Sequence, residues 1–228
     1  MDLRNYFDQL TPEKRVMQFG RKTDEPLRLA FDSKRVVHAA MGGSMVPPPM
    51  APKVWRDIMA KPVEGHPTQM AYIHILFCKT KCLYWPFFQN GTNQDEEDRY
   101  IDHLVKDIEM GADSPRLSSA PIQAVFIGGG TPTSLSPENA GRLLSTIQRC
   151  LPLANDYELT FEGRVHDLVP EKMDVWFRNG VNRMSLGVQS FDTKVRQAVG
   201  RIDDGETVFS HLQELLSYSQ CAVVTDAP

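Results

Sequence analysis

Two cysteines, Cys78 and Cys82, lie four residues apart at the end of an apolar segment. Thiolates bind iron and zinc, and a pair of thiols can also carry out redox chemistry. A structural zinc ion takes four ligands, and a redox pair usually has two intervening residues rather than three. On spacing alone, two interpretations stay open: a metal-binding loop, and a pair of loop thiols without a ligand.

Three consecutive glycines, Gly128 to Gly130, follow a short apolar segment and precede Thr131. Glycine lets a backbone approach a ligand closely and leaves N–H groups available for an anion. The spacing matches neither the P-loop nor the dinucleotide-binding motif. A tight turn between a strand and a helix is the alternative, although such a turn does not need three glycines.

Gln189 lies within the segment SLGVQSF (185–191), at the end of another apolar run. Its amide can both donate and accept hydrogen bonds, which suits a ribose hydroxyl. A polar residue that only caps a strand is an equally good interpretation. Glu162 and Asp226 also follow apolar runs, so polar residues recur at the ends of the predicted strands.

Apolar segments alternate with helical patterns from residue 70 onward. This alternation predicts a parallel α/β sheet or barrel. In both architectures the ligand site lies at the carboxyl ends of the strands, where these polar residues fall. The predicted strands span residues 71–77, 124–127, 157–161, 183–188 and 222–225; the predicted helices span residues 95–108, 137–147, 170–177, 193–199 and 206–218.

Residues 1–67 differ from the remainder, because prolines and charged residues, including the run Pro47 to Pro49, interrupt any regular pattern. Consecutive prolines exclude a helix or an interior strand at that point. We expect an irregular, partly flexible leader over residues 1–67, with a short helix at 54–59. A core domain is expected over residues 68–228.

The composition limits the possible compartments and partners. The chain has 228 residues, 41% of them hydrophobic, so it can bury a core. Its 25 basic and 29 acidic residues give a net charge of −4, which provides no electrostatic reason to expect nucleic acid or an anionic membrane as a partner. There is no signal-peptide pattern, and no apolar run approaches the roughly 20 residues of a membrane span. We expect a cytoplasmic protein whose cysteines form no disulfide framework.

Several segments together resemble a known family. YIHILFC (72–78), GGGTPT (128–133) and SLGVQSF (185–191) resemble the radical S-adenosylmethionine (SAM) enzymes of the oxygen-independent coproporphyrinogen III oxidase type. KCLYWPFFQN (81–90) is most similar to the haem-utilisation subgroup, which contains methyltransferases that open haem anaerobically to a linear tetrapyrrole (anaerobilin synthase). The resemblance covers residues from about 70 to 228 and implies a partial (β/α)6 barrel with five of its strands present.

The resemblance also implies cofactors. The family holds a [4Fe–4S] cluster on a CxxxCxxC loop, whose open iron binds SAM, and an electron from a donor such as flavodoxin then yields a 5′-deoxyadenosyl radical. Cys78 and Cys82 match the first two cluster ligands. The residues that match SAM contacts are Tyr72 and Tyr84 beside the cofactor, Gly129, Gly130 and Thr131 at its amino end, Glu162 and Gln189 as polar contacts, Arg201 at its carboxylate, and Asp226 on the next strand.

The sequence departs from the family within the cluster loop. Trp85 stands at the third cysteine position, Pro86 where glycine is usual, and Leu76 where proline is usual. An indole has an N–H donor and no lone pair for iron, so the cluster should be impaired. The sequence also ends at Pro228, just past the fifth predicted strand, and we expect a truncated product of a six-strand barrel.

Three functions are compatible with these observations. The first is an enzyme that acts on haem or a porphyrinogen, as a methyltransferase or an oxidative decarboxylase. The second is a non-catalytic haem-binding or haem-delivery protein, for which His74 and His166 are candidate iron ligands. The third is an inactive remnant.

Overall fold

The computed structural model describes residues 7–24, 30, 45–65, 68–79, 91 and 93–226. Two compact units make up the chain, residues 1–50 and 51–228. Cys82, Tyr84, Trp85 and Pro86 lie outside the described residues. The hypotheses that concern them stay predictions.

The predicted leader contains helices. Helix α1 (Pro12–Phe19) begins at Thr11, whose side chain accepts a hydrogen bond from the Lys14 N–H, and a 3-10 turn spans Pro48–Met50. In the second unit, helix α2 (Ala51–Met59) is longer than predicted. Our expectation that consecutive prolines exclude helical structure is wrong here, because the first turn of a helix needs no N–H from its own first residues.

One parallel sheet forms the centre of the second unit. Strands pair in chain order, β1-β2-β3-β4-β5, and the sheet is open. The predicted α/β architecture with five parallel strands is thereby confirmed. The strands are β1 (Gln69–Ile75), β2 (Ile122–Gly129), β3 (Leu153–Arg164), β4 (Arg183–Gly187) and β5 (Ala222–Thr225).

Helices connect these strands and begin at recognisable caps. The side chains of Asn93, Ser136 and Asp204 each accept a backbone N–H in the first turn of a helix, which satisfies donors that the helix itself leaves open. The helices are α3 (Gln94–Ala112), α4 (Pro115–Ser118), α5 (Pro137–Cys150), α6 (Pro170–Arg178), α7 (Thr193–Ala198) and α8 (Gly205–Ser217).

The buried core lies between the helices and one face of the sheet. Helices α3, α5, α6 and α8 contribute Ile101, Leu143, Trp176 and Leu215 to it. Side chains alternate along a strand, so Tyr72 lies on the face opposite the buried Ile73. Tyr72 is 60% exposed, so the second face is accessible at β1. The strand residues of the core are Ile73, Ile75, Val125, Ile127, Leu159, Phe161, Met184 and Leu186.

Within the described part of the chain, every helix is too short or too polar to cross a bilayer.

Candidate functional site at the carboxyl edge of the sheet

The parallel strands bring the polar strand ends predicted from the sequence to one edge. The register pairs His74 with Gly128, Glu162 with Ser185, and Leu186 with Thr225. Since all strands run in the same direction, their carboxyl ends meet at this edge. Cys78, Gly128 to Thr131, Glu162, Gln189 and Asp226 are located there.

The glycine segment continues the pairing between the ends of β1 and β2. Gly130 N–H donates to the Ile75 carbonyl at 2.7 Å, and Thr131 N–H donates to the Phe77 carbonyl at 2.8 Å. The Thr131 hydroxyl also donates to Cys78 Sγ at 3.3 Å, and both side chains are buried. The first predicted cluster ligand therefore sits directly against the glycine segment.

Each glycine of the triplet is required by its own neighbours. A Cβ on Gly128 would lie 2.5 Å from Glu162 Oε2. Gly129 has φ +113°, and a Cβ there would lie 2.5 Å from the His74 ring. A Cβ on Gly130 would overlap the Phe77 carbonyl. The close packing of two strand ends thus accounts for the triplet, and Gly128 leaves the space that Glu162 occupies.

Glu162 lies beside an aromatic wall on the open face of the sheet. Its Oε2 accepts a hydrogen bond from the Gly129 N–H at 3.3 Å. Burial raises the pKa of Glu162, and this hydrogen bond opposes the shift. Burial and the charge of Glu162 raise the pKa of Tyr72, whose ring stacks on Phe126 at 6.1 Å. The Tyr72 hydroxyl is 3.0 Å from His74 Nδ1.

Asp226 orients Gln189 on the other side of the edge. Its Oδ1 accepts from the N–H groups of Val188 at 2.7 Å and Gln189 at 2.9 Å, and its Oδ2 accepts from Gln189 Nε2 at 2.9 Å. Burial opposes ionisation of Asp226, but the hydrogen bonds from Gln189 and Val188 outweigh it and lower the pKa. Gln189 Oε1 is buried with no hydrogen-bond partner among the described residues. The Gln189 Oε1 atom at the end of β4 is thus a fixed acceptor that a ligand can use.

Arg201 shares the surroundings of Gln189. A Cβ built on Gly187 would lie 2.7 Å from Gln189 Nε2 and 3.2 Å from Arg201 Nη2, so both side chains border Gly187. Arg201 also lines a small cavity with Arg164 and Arg196. The cavity wall also includes Asp203, so its charges are mixed, and the Arg201 guanidinium is the group there that matches a carboxylate in the family pattern.

The two candidate haem ligands differ in their surroundings. His166 lies in the 3-10 turn Val165–Asp167 after β3, and its Nδ1 is 2.8 Å from Asp203 Oδ1. The His166 side chain is 46% exposed. A carboxylate on one ring nitrogen fixes the tautomer that leaves the other nitrogen available to a metal. His74 instead contacts Tyr72 through Nδ1.

Sequence reasoning missed Phe126, Arg196 and Asp203. The period-2 alternation of β2 could have placed Phe126 on the same face as Gly128. No sequence pattern marks Arg196 and Asp203, because the tertiary fold brings them to their hydrogen-bond partners.

The described residues supply more of the groups needed to bind SAM than of those needed to bind an iron–sulfur cluster. The kinds of group that bind the polar parts of SAM are present: the acceptor oxygen of Gln189, the carboxylate of Glu162 and the guanidinium of Arg201. For the cluster, Cys78 is the candidate ligand among the described residues, and the replacement of a third ligand by Trp85 stays a prediction from the sequence. Among the described residues, no group of three metal-binding side chains is assembled.

Known proteins resemble this chain over most or nearly all of its length. The model of the radical SAM superfamily matches residues 72–225. Anaerobilin synthase of Escherichia coli O157:H7 is 36% identical over 226 residues, which cover 99% of this chain and 48% of that protein. The heme chaperone HemW of Bacillus subtilis (strain 168) is 35% identical over 63% of this chain and 38% of its own length.

A solved structure supports the same relationship. Coproporphyrinogen III oxidase (HemN) from Escherichia coli, a radical SAM enzyme, superposes with a TM-score of 0.66 and 26% sequence identity. The match covers 77% of this chain and 40% of that chain. The present chain spans about half the length, or less, of these relatives.

Proposed function

The chain belongs to the radical SAM superfamily, and on that premise we propose that it binds SAM at the carboxyl edge of its sheet and serves haem or porphyrinogen metabolism. The superfamily implies a [4Fe–4S] cluster and SAM. The observation that carries the SAM site is the buried, unpartnered Oε1 of Gln189, oriented by Asp226. A buried acceptor without a donor is unfavourable unless a ligand supplies one.

In this proposal each polar group has a separate part of SAM to bind. Gln189 Oε1 accepts a ribose hydroxyl, while Nε2 is engaged by Asp226. The Arg201 guanidinium pairs with the carboxylate. The Glu162 carboxylate, which lies close enough to Tyr72 to affect its pKa, accepts a hydrogen bond from another N–H or O–H group of SAM. The remaining proposed contacts are Tyr84, Gly129, Gly130 and Thr131.

The substrate class is proposed from the relatives. Anaerobilin synthase aligns over 99% of this chain, and the other relatives are named a heme chaperone and a coproporphyrinogen III oxidase. These names favour haem or a porphyrinogen as the molecule handled. A cytoplasmic location and an electron donor such as flavodoxin are further parts of the proposal.

Trp85 reduces the proposed catalytic capacity of the chain. When bound, a [4Fe–4S] cluster supplies the electron that cleaves SAM to a radical. Cys78 and Cys82 provide two thiolates, one fewer than the family pattern. We therefore propose that the chain binds SAM but forms the 5′-deoxyadenosyl radical inefficiently.

Calorimetry with SAM tests the binding site. Gln189→Asn retains a residue that tolerates the left-handed φ of 62° but withdraws the acceptor oxygen. We expect affinity to fall about tenfold, equivalent to ~1.4 kcal/mol. Gln197→Asn, on the exposed surface of α7, is the matched control and should bind normally. Equal affinity for both variants would remove Gln189 from the site.

Haem binding without catalysis is the second candidate, and the His166–Asp203 contact favours it. A histidine ligand to haem iron gives a sharp, intense absorption band, which titration with ferric haem would reveal. In this case His166→Ala should lose the band, whereas His103→Ala, on the exposed surface of α3, should retain it. A band that survives His166→Ala would exclude this histidine as the ligand.

A further inference from the structure

Arg196 is a buried arginine whose side chain binds two backbone segments, one at Val188 to Ser190 and one at Asp203. Only 3% of its surface is exposed. Its Nε donates to the Asp203 carbonyl at 2.7 Å, and its Nη1 donates to the carbonyls of Val188 at 2.7 Å and Ser190 at 3.1 Å. All three acceptors are main-chain oxygens, so this guanidinium fixes the path of the backbone.

The bonded carbonyls flank the proposed SAM contacts. Val188 and Ser190 stand on either side of Gln189, whose φ of 62° is unusual for a residue other than glycine. Two hydrogen bonds to its neighbours hold this conformation in place. Without them the left-handed backbone at Gln189 keeps its hydrogen bonds to Asp226 but loses its support on the Arg196 side.

Arg196 is linked to Arg201 as well. The Arg201 N–H donates to the Arg196 carbonyl at 2.9 Å, and the side chain of Arg196 binds the carbonyl of Asp203, two residues further on. One residue thus fixes both ends of the segment that carries Arg201. The Asp203 carboxylate in turn contacts His166, which extends the network to the turn after β3.

We propose that Arg196 is the positioning residue of the SAM site, holding the Gln189 acceptor and the Arg201 guanidinium at a fixed separation; this inference rests on the proposed function. Among the described residues, the side-chain hydrogen bonds of Arg196 go to carbonyl oxygens, so Arg196 does not need to contact the ligand. A planar guanidinium can serve acceptors in three directions at once, and a lysine ammonium cannot reproduce that arrangement. Arg196→Lys is therefore the informative substitution, because it retains the charge and removes the geometry.

The test is calorimetry with SAM on the full chain. Arg196→Lys should weaken binding at least tenfold, while circular dichroism remains that of a folded protein. Arg178→Lys, an exposed arginine paired with Asp174, is the matched control and should bind normally. Normal affinity in folded Arg196→Lys would overturn the inference while leaving the proposed function intact. Absence of SAM binding by the unaltered chain would overturn both.

A double-mutant cycle separates positioning from general destabilisation. If Arg196 acts through Arg201, then Arg196→Lys should cost clearly less affinity in an Arg201→Ala background than in the parent. Fully additive losses would mean that Arg196 does not act through Arg201, and would overturn that part of the inference.

Hydrogen exchange on the unaltered chain provides a measurement that no folding failure can obscure. SAM should slow exchange both at the Gln189 amide, which donates to Asp226, and at the Arg201 amide, which donates to Arg196. Protection confined to the Gln189 amide would show that the two proposed SAM contacts are not coupled, against the proposal.

Discussion

Gly129, which matches a SAM contact in the family pattern, is already required to be a glycine by the packing of the fold alone. Its φ is +113°, and a Cβ would meet both the His74 ring and the Ile75 carbonyl. A bulky substitution there disturbs the strand ends before any ligand is involved. Loss of SAM binding in a Gly129 variant would therefore report on folding as much as on recognition.

Gly129→Ala should lower the free energy of unfolding by about 3 kcal/mol, since it combines backbone strain with overpacking. Gly65→Ala is the matched control, because Gly65 also has a positive φ, +74°, but nothing lies within 4 Å of its Cβ position. The control should lose about 1 kcal/mol, the backbone part alone. Urea denaturation measures both, and equal losses would contradict the steric argument.

Glu162 makes stability depend on pH in a definite direction. Burial raises its pKa in the folded state, so the protonated form is favoured by folding. Below the ordinary glutamate pKa of about 4.3, Glu162 is protonated in both states and does not change the free energy of unfolding. As the pH rises from that value towards the raised pKa of the folded state, Glu162 increasingly destabilises the fold. Glu162→Gln should therefore stabilise the protein at pH 7 and change little near pH 4.

Denaturation at a series of pH values checks this expectation for Glu162. Glu214→Gln, at an exposed position on α8, is the control and should show no gain that grows with pH. A Glu162→Gln effect that is independent of pH would mean that burial of the charge is not its cause.

At the scale of elements, the sequence was sufficient to predict the five strands and most helices of the second unit, because apolar runs and helix-starting residues are local signals. The short helix α4 was not predicted. Strand β3 is longer than predicted, since its exposed residues Asn155 and Asp156 conceal the pattern. Helix α1 could have been found from Thr11 and Pro12, a cap followed by proline at the first position. The hydrogen bonds of the Arg196 side chain could not have been predicted from the sequence, because their acceptors are backbone carbonyls that any residue carries.

Thr133 connects the turn after β2 to the end of β3. Its hydroxyl donates to Asp167 Oδ2 at 2.9 Å and accepts from the Arg164 N–H at 3.1 Å, while its carbonyl accepts from the buried Lys172 Nζ at 2.7 Å. The segments that follow β2 and β3, two neighbouring strands, are therefore joined by a fully buried side chain.

Thr133→Val keeps the shape of the side chain, leaves the Arg164 N–H without this acceptor and removes one hydrogen bond from the Asp167 carboxylate, which keeps its ion pair with Arg164. We expect the free energy of unfolding to fall by about 2 kcal/mol. Thr133→Ser retains the hydroxyl and should lose less than about 1 kcal/mol, as expected for one methyl group. Thermal or urea unfolding distinguishes the two, and identical losses would assign the effect to the methyl group.

At the scale of the whole molecule, cluster retention can be measured directly. The substitutions Trp85→Cys, Pro86→Gly and Leu76→Pro together should let the chain retain about four irons after anaerobic reconstitution, as one four-iron cluster requires. The parent chain should retain distinctly fewer. Adding a cysteine elsewhere, with Trp55→Cys on the exposed surface of α2, should bring no gain. A full iron content in the parent would contradict the role given to Trp85.

The order of the strands has a consequence for how the protein forms. Spatial order equals chain order, so each strand can dock on the edge left by the one made just before it. The contacts of Asp226 with Gln189 join the residues that follow β5 to those that follow β4. During synthesis on a ribosome, four strands can therefore assemble while the Gln189 acceptor is still unoriented, and on the proposed function the site for the nucleoside part of SAM is completed only when β5 has docked.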